Sequence, residues 1–290
     1  MSLSLKPLHP VFGAEASGVD LTKRLTPEEV SAINLAMNRY AVLVFRGQCL
    51  TAEQQLNFTQ HFGQLDIGLK RIVKRPSRLG DERLIDISNI NAEGQVEPRD
   101  SPRNLSNFAN QLWHSDSSFM KPRAAYSVLH CLVKTSWGGD TQFADLRHAY
   151  DLLDERTRQD VQGLSAEHYA VHSRLLLGAE AYTDGQGEKL EPVTWPLVDT
   201  HSGSGRKVLF VGAHARKIIG WPTAESRLFL LDLLEHATRH EHVYAHQWQP
   251  GDTVIWDNRS TLHRGRRYDI TERREMRRTT INDDEFANLS

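Results

Sequence analysis

Two cysteines, Cys49 and Cys131, are all that the 290 residues contain. A secreted chain of this length more often carries a larger, paired set, so both are read as reduced thiols of a cytoplasmic protein. No stretch approaches the roughly 18 apolar residues of a membrane span, and residues 1–20 show no basic segment followed by an apolar run. Neither a membrane anchor nor an export signal is expected. An excess of one charge sign is missing too: 35 Lys and Arg stand against 37 Asp and Glu, a formal net charge of −2. Such a chain has no global positive field with which to collect nucleic acid or anionic lipid. Linkers, repeats and low-complexity tracts are also absent. Hydrophobic residues at 39% and charged residues at 25% can fill a large core beneath a polar surface, so we expect one domain over residues 1–290. Oligomeric state is not legible, and a homo-oligomer is compatible with everything above.

What is present begins with helix signals. Thr26-Pro27-Glu28-Glu29 reads as a capping box with proline at the first helical position, and a second capped helix is expected from Thr51, through Leu56 and Phe62, to Gly63. Between them Ala41-Val42-Leu43-Val44-Phe45 reads as a buried strand. Short strands dominate afterwards, at 84–90, 126–133, 207–212, 242–248 and 253–257. Pro250-Gly251-Asp252 is a turn signal that predicts an antiparallel pair between the last two. Helices are expected over 145–161 and over 223–239, the latter carrying Leu228, Leu231 and Leu234. Polar loops at 70–81 and 178–192 are long enough to suggest functional lids. The expected class is mainly β with flanking helices.

The string Trp113-His114-Ser115-Asp116 places a histidine and a carboxylate two residues apart, on one face of an extended segment, where both can reach one ion. His263, just beyond the strand candidate at 253–257, offers a third ligand from a separate element. Two imidazoles and one carboxylate on one face of a metal leave the opposite positions open, the arrangement of non-haem Fe(II) oxygenases. Taken alone, the triplet fits an ordinary hydrogen-bonded pair equally well, and a lone histidine is more often structural. A second constellation is Arg273-Arg274-Glu275-Met276-Arg277-Arg278-Thr279-Thr280. Read as a strand, it puts Arg274, Met276 and Arg278 on one face, which suits visiting anions, and Arg273, Glu275 and Arg277 on a solvent face. A wholly solvated charge run is the alternative. Gly138-Gly139-Asp140-Thr141 is a turn that delivers a hydroxyl into a strand, where it could share an anion with an arginine or do nothing more than turn.

Together, W-H-S-D at Trp113 to Asp116, G-G-D-T at Gly138 to Thr141, W-D-N-R-x-x-x-H at Trp256 to His263 and R-R-E-x-R-R at Arg273 to Arg278 resemble the taurine/2,4-dichlorophenoxyacetate dioxygenase family. The likeness is strongest to its 2,4-dichlorophenoxyacetate branch. It implies a double-stranded β-helix, or jelly roll, with Fe(II) held by His114, Asp116 and His263. It also implies 2-oxoglutarate and O₂ as cosubstrates, the former anchored by Arg274 and Thr141, and a small carboxylate substrate facing Arg278. Asn110 and His214 match further substrate positions, although a core histidine is as good a reading of His214. Taurine-type relatives place a histidine in the loop after the second helix, where this chain has Gly68-Leu69-Lys70-Arg71. Arg71 is the candidate replacement, and the departure disfavours taurine. An aryloxyalkanoate is the substrate class implied. An alkylsulfonate or another small carboxylate, a non-catalytic jelly-roll binding protein and a zinc hydrolase are the competing readings. The zinc reading gives no reason for an anion site at Arg274 and Thr141.

Overall fold

The computed structural model describes residues 2–68, 78–178 and 191–283. The two expected loops fall largely outside them. Near the start, complete caps fix two helices. Thr26 accepts from the amide of Glu29 while the Glu29 carboxylate accepts from the amide of Thr26, and α1 runs Pro27–Tyr40. The same reciprocal box between Thr51 and Gln54 starts α2, Ala52–Gln60. Around them lie β1 (Ser4–Pro7), β2 (Ala14–Ser17), β3 (Val42–Phe45), β4 (Leu65–Asp66) and β5 (Ile85–Asp86). The middle of the chain forms α3 (Pro102–Phe108), β6 (Ala124–Val133), β7 (Thr141–Asp145), α4 (Leu146–Asp151), α5 (Glu155–Asp160), β8 (Ser165–His168) and α6 (His172–Leu175). Beyond it come β9 (Val193–Pro196), β10 (Val198–Thr200), β11 (Lys207–Leu209), β12 (Ala215–Ile218), α7 (Thr223–Ala237), β13 (Val243–His246), β14 (Thr253–Asp257), β15 (Thr261–Gly265) and β16 (Glu275–Asn282).

Eight strands make one sheet in the order β1-β2-β3-β14-β6-β16-β4, with β5 also on β16. A second sheet, β13-β7-β15, supplies Phe143, which packs with Val42, Val44, Leu129, Val254 and Trp256 from the inner face of the first. The alternate residues Leu43, Phe45, Val128 and Ile255 turn outward and pack with Ile33, Met37 and Phe58 of α1 and α2. A strand covered on both faces has no need of polar alternation, which is why residues 41–45 are apolar throughout. Sheet against sheet, with helices outside, is the double-stranded β-helix that the motifs imply. The β12-β8-β9 sheet and the β10-β11 pair pack with α4 and α7 around Leu146, Trp195, Phe210, Leu230 and Leu233. No helix among the described residues is long and apolar enough to cross a membrane.

The structure departs from the sequence expectation in several places. The strands on either side of Pro250-Gly251-Asp252 do not pair with each other: β13 lies on β7, and β14 lies between β3 and β6. The turn carries the chain across the sandwich from one sheet to the other. The helix expected over 145–161 is broken, because Asp154 accepts from the amide of Thr157 and caps a new helix. On α7 the buried face is Leu230, Leu233 and Ala237, while Leu228 and Leu231 face outward. Of the strand expected at 84–90, Ile85–Asp86 forms the regular element β5, and the amides of Ile87 and Asn89 continue the pairing by donating to the Met276 and Arg274 carbonyls at 3.1 and 3.3 Å. The second face of β16 is not a solvent face: Arg277 and Thr279 are buried beneath α2, where Arg277 donates to Gln55 Oε1 at 2.8 Å and to the Leu50 carbonyl at 2.8 Å.

Candidate active site

His114 and His263 come from distant parts of the chain and meet across one antiparallel bridge. The His114 amide donates to the His263 carbonyl at 3.0 Å, and the His263 amide returns the bond at 2.9 Å. Their ring centroids are 4.2 Å apart. Asp116 sits two residues on, at the start of a turn that Ser117 completes with a left-handed φ of 51°. Its carboxylate lies 3.8 Å from His114 Nε2 and 3.7 Å from His263 Nε2. One ligand atom from each of the three residues fits within a 4.8 Å spread, and all three residues are buried.

The protonation of this cluster suits a divalent cation. Burial pushes both imidazoles below the ordinary histidine range, His263 well below it, so both are neutral ligands. His114 Nδ1 faces the Leu112 carbonyl at 2.7 Å and must donate to it, which leaves the lone pair on Nε2. Burial alone would raise the Asp116 carboxyl, but the Arg278 guanidinium paired with its Oδ1, together with the two neighbouring imidazoles and the Ser127 hydroxyl, outweighs that and holds it at about 2. Two neutral imidazoles and one carboxylate carry a single negative charge, and His263 Nδ1 has no protein partner among the described residues. The donor set fits Fe(II).

Hydrogen bonds fix the carboxylate from behind. Asn258 Oδ1 accepts from the Asp116 amide at 3.1 Å and from Trp256 Nε1 at 2.9 Å, which settles the orientation of its amide. Its Nδ2 must then donate to Ser127 Oγ at 2.9 Å, and Ser127 donates in turn to Asp116 Oδ2 at 2.7 Å. Neither Asn258 nor Ser127 is named by the sequence reading. Asn258 lies inside the W-D-N-R motif, whereas Ser127 gives no sequence signal beyond its place in an apolar strand.

A cavity of roughly 720 Å³, counting its open mouth, is lined by His114 and His263 and also by Thr141, Arg274, Arg278 and Asn110. Ile87, Leu129 and Trp256 make its apolar wall. Trp256 therefore both packs the sandwich and faces the cavity. Arg274 is 9% exposed and has no acidic partner among the described residues; its guanidinium reaches only the Ile87 and Gly139 carbonyls, at 3.3 and 3.4 Å, and lies over the Tyr268 ring. A buried cation so weakly paired is suited to an incoming carboxylate. The two glycines of the turn before Thr141 are required here. A Cβ on Gly138 would strike the Arg267 carbonyl, and one on Gly139 would come within 3.2 Å of Arg274 Nε, with φ of 70° and 82° besides.

The fold thus brings together His114, Asp116, His263, Thr141, Arg274, Arg278 and Asn110. His214 is buried against the site, its ring edge-on to His114 at 5.9 Å and its Nδ1 3.1 Å from Ser118 Oγ, but it is not among the residues lining this cavity. Arg71 lies outside the described residues.

The model of the taurine catabolism dioxygenase TauD, TfdA family matches residues 4–280. The chain is 52% identical over 284 residues to the alpha-ketoglutarate-dependent 2,4-dichlorophenoxyacetate dioxygenase of Cupriavidus pinatubonensis, covering 98% of this chain and 99% of that one. It is 36% identical to the (S)-phenoxypropionate/alpha-ketoglutarate-dioxygenase of Delftia acidovorans, covering 95% of this chain and 93% of that one. Among solved structures, the crystal structure of AAD-2 in complex with Mn(II) and N-oxalylglycine matches with a TM-score of 0.89 at 43% sequence identity, covering 97% of each chain. Sequence, fold and buried His-Asp-His cluster agree, and the chain belongs to the taurine catabolism dioxygenase TauD, TfdA family.

Proposed function

We propose that this protein hydroxylates the methylene carbon of an aryloxyalkanoate such as 2,4-dichlorophenoxyacetate, using Fe(II), 2-oxoglutarate and O₂. The products are a phenol, glyoxylate, succinate and CO₂. The observation that carries this reading is that one cavity holds two of the three clustered ligands on its wall and, apart from them, the buried Arg274, which has no acidic partner among the described residues. His114, Asp116 and His263 would hold the metal. When bound there, Fe(II) supplies the O₂ activation that couples decarboxylation of 2-oxoglutarate to oxygen insertion into a C–H bond.

The chain's own residues do the rest. Arg274 and Thr141 take the far carboxylate of 2-oxoglutarate, which sets the keto acid end toward the metal. Arg278 takes the carboxylate of the primary substrate, and Asn110 lies along the same wall. Ile87, Leu129 and Trp256 exclude water from the reacting carbon. Hydroxylation of the carbon between ether oxygen and carboxylate gives a hemiacetal, and its C–O bond breaks to release the phenol and glyoxylate. Relatives named for 2,4-dichlorophenoxyacetate and for (S)-phenoxypropionate support the aryloxyalkanoate class over a sulfonate.

The test is aerobic turnover of the Fe(II)-loaded protein with 2-oxoglutarate over aryloxyacetates, aryloxypropionates and alkylsulfonates, with succinate and phenol both quantified. Equal amounts of phenol and succinate with an aryloxyacetate are expected. Succinate tightly coupled to a sulfonate and not to any aryloxyalkanoate would overturn the substrate class. An Asp116→Ala protein that turned over at the normal rate would overturn the metal site.

A further inference from the structure

Thr141 is 4% exposed and lines the cavity beside Arg274. Among the described residues its hydroxyl has one hydrogen-bonding neighbour, and that neighbour has the wrong polarity to satisfy its hydrogen. Trp248 Nε1 donates to Thr141 Oγ1 at 3.0 Å, and an indole N–H can only donate. That bond occupies an acceptor position on the hydroxyl and leaves its hydrogen uncommitted. Among the described residues no carbonyl or carboxylate accepts it. A buried O–H without an acceptor is unfavourable unless a ligand brings one.

Trp248 is held in place for this contact. It is 5% exposed, packs in the core cluster with Phe12, Cys131 and Met276, and stands edge-on to His246 at a centroid distance of 4.4 Å. His246 is the residue that pairs with Thr141 across the β13–β7 ladder. Trp248 lies two residues beyond it, and its indole reaches back to the threonine.

We infer that Trp248 is a positioning residue for the cosubstrate. Its N–H fixes the rotor of the Thr141 hydroxyl so that the hydrogen points into the cavity, toward the carboxylate that Arg274 binds. The inference rests on the proposed role of Thr141 and Arg274. It adds that the threonine acts as a donor because the tryptophan has already taken its acceptor side. Without Trp248 the hydroxyl turns among its staggered wells, and each bound carboxylate must select the productive one.

A double-mutant cycle tests this on the full chain loaded with Mn(II) without O₂, with N-oxalylglycine and 2-oxoglutarate binding measured by calorimetry. Trp248→Phe should weaken binding by about two- to tenfold, the worth of one neutral hydrogen bond. In a Thr141→Val background the same change should have no effect, because there is no hydroxyl left to orient. Equal losses in both backgrounds would make Trp248 a packing residue and overturn the inference while leaving the role of Thr141 intact. Unaltered affinity in Thr141→Val alone would overturn the role of Thr141, and the inference with it. If the phenylalanine ring leaves the core too loose to fold, benzothienylalanine at position 248 exchanges the N–H for sulfur within the same outline and gives the same two readings.

Discussion

Arg274, Arg277 and Arg278 lie within five residues of one another, and their surroundings give them different work. Among the described residues Arg274 has carbonyls but no carboxylate, so a charge-assisted pair with 2-oxoglutarate should supply about 1.5–3 kcal/mol. Arg274→Ala is expected to raise the apparent KM for 2-oxoglutarate by about ten- to a hundredfold, and an unchanged KM would remove the assignment. His168 shows the opposite economy. Both of its ring nitrogens are buried without partners among the described residues, and it stacks on Phe210 at 5.2 Å. Burial, and then Arg123, push its pKa down to about 3. In the unfolded chain it titrates near 6.5, so between that pH and about 3 the unfolded state takes a proton that the fold refuses. Stability must therefore fall as pH falls through that window, by about 2 kcal/mol at pH 5 for this residue alone. His168→Phe should shrink the difference between the urea midpoints of the metal-free protein at pH 7 and pH 5. A difference equal to wild type would sink the argument.

At the scale of elements, the sequence was most readable where local chemistry is sufficient. The boxes at Thr26 and Thr51 and the doubly buried strand at 41–45 are complete statements within a few residues. It was least readable where a distant element decides the outcome. Alternation correctly separated Arg274 and Arg278 from Arg277, but nothing near residue 277 announces that α2 will cover it. Nor could the turn at Gly251 reveal that its two strands join different sheets. That His114, Asp116 and His263 would cluster, with Arg274 on the same cavity, was legible because their motifs have fixed spacing. Ser127 was not, because its function requires β6, the Asp116 turn and Asn258 to meet. Two measurements separate these roles. Arg277→Ala breaks the tie between β16 and α2 and should lower unfolding free energy by about 1.5–3 kcal/mol. The KM for 2-oxoglutarate should stay at its wild-type value, and a large rise would show that Arg277 serves the site directly. Asn258→Ala frees Ser127 and the Asp116 amide and should weaken Mn(II) or Fe(II) binding by about ten- to a hundredfold. Wild-type metal affinity in that variant would mean that the carboxylate holds its pose unaided.

For the whole molecule, what matters is the order of strands in the large sheet. The first strands of the chain are not neighbours of the next long one: β14 lies between β3 and β6, and β16 lies on the other side of β6. The N-terminal half therefore contributes strands with gaps that only the last forty or so residues can fill. Such long-range closure carries a loop-entropy penalty before any contact compensates it. Synthesis on the ribosome proceeds in the opposite sense, because the filling strands emerge last. A nascent chain stalled before residue 253 lacks both β14 and β16 and should be open to protease along β3 and β6, whereas the 290-residue chain should resist, and resistance of the stalled chain would contradict this. Throughout that interval β3 and β6 present apolar edges with no partner, a natural occasion for a holding chaperone. His114 and Asp116 likewise wait as half a site until His263 follows. Metallation is thus a late event in the life of each molecule, and iron cannot template a fold whose own closing strands must first complete the iron site.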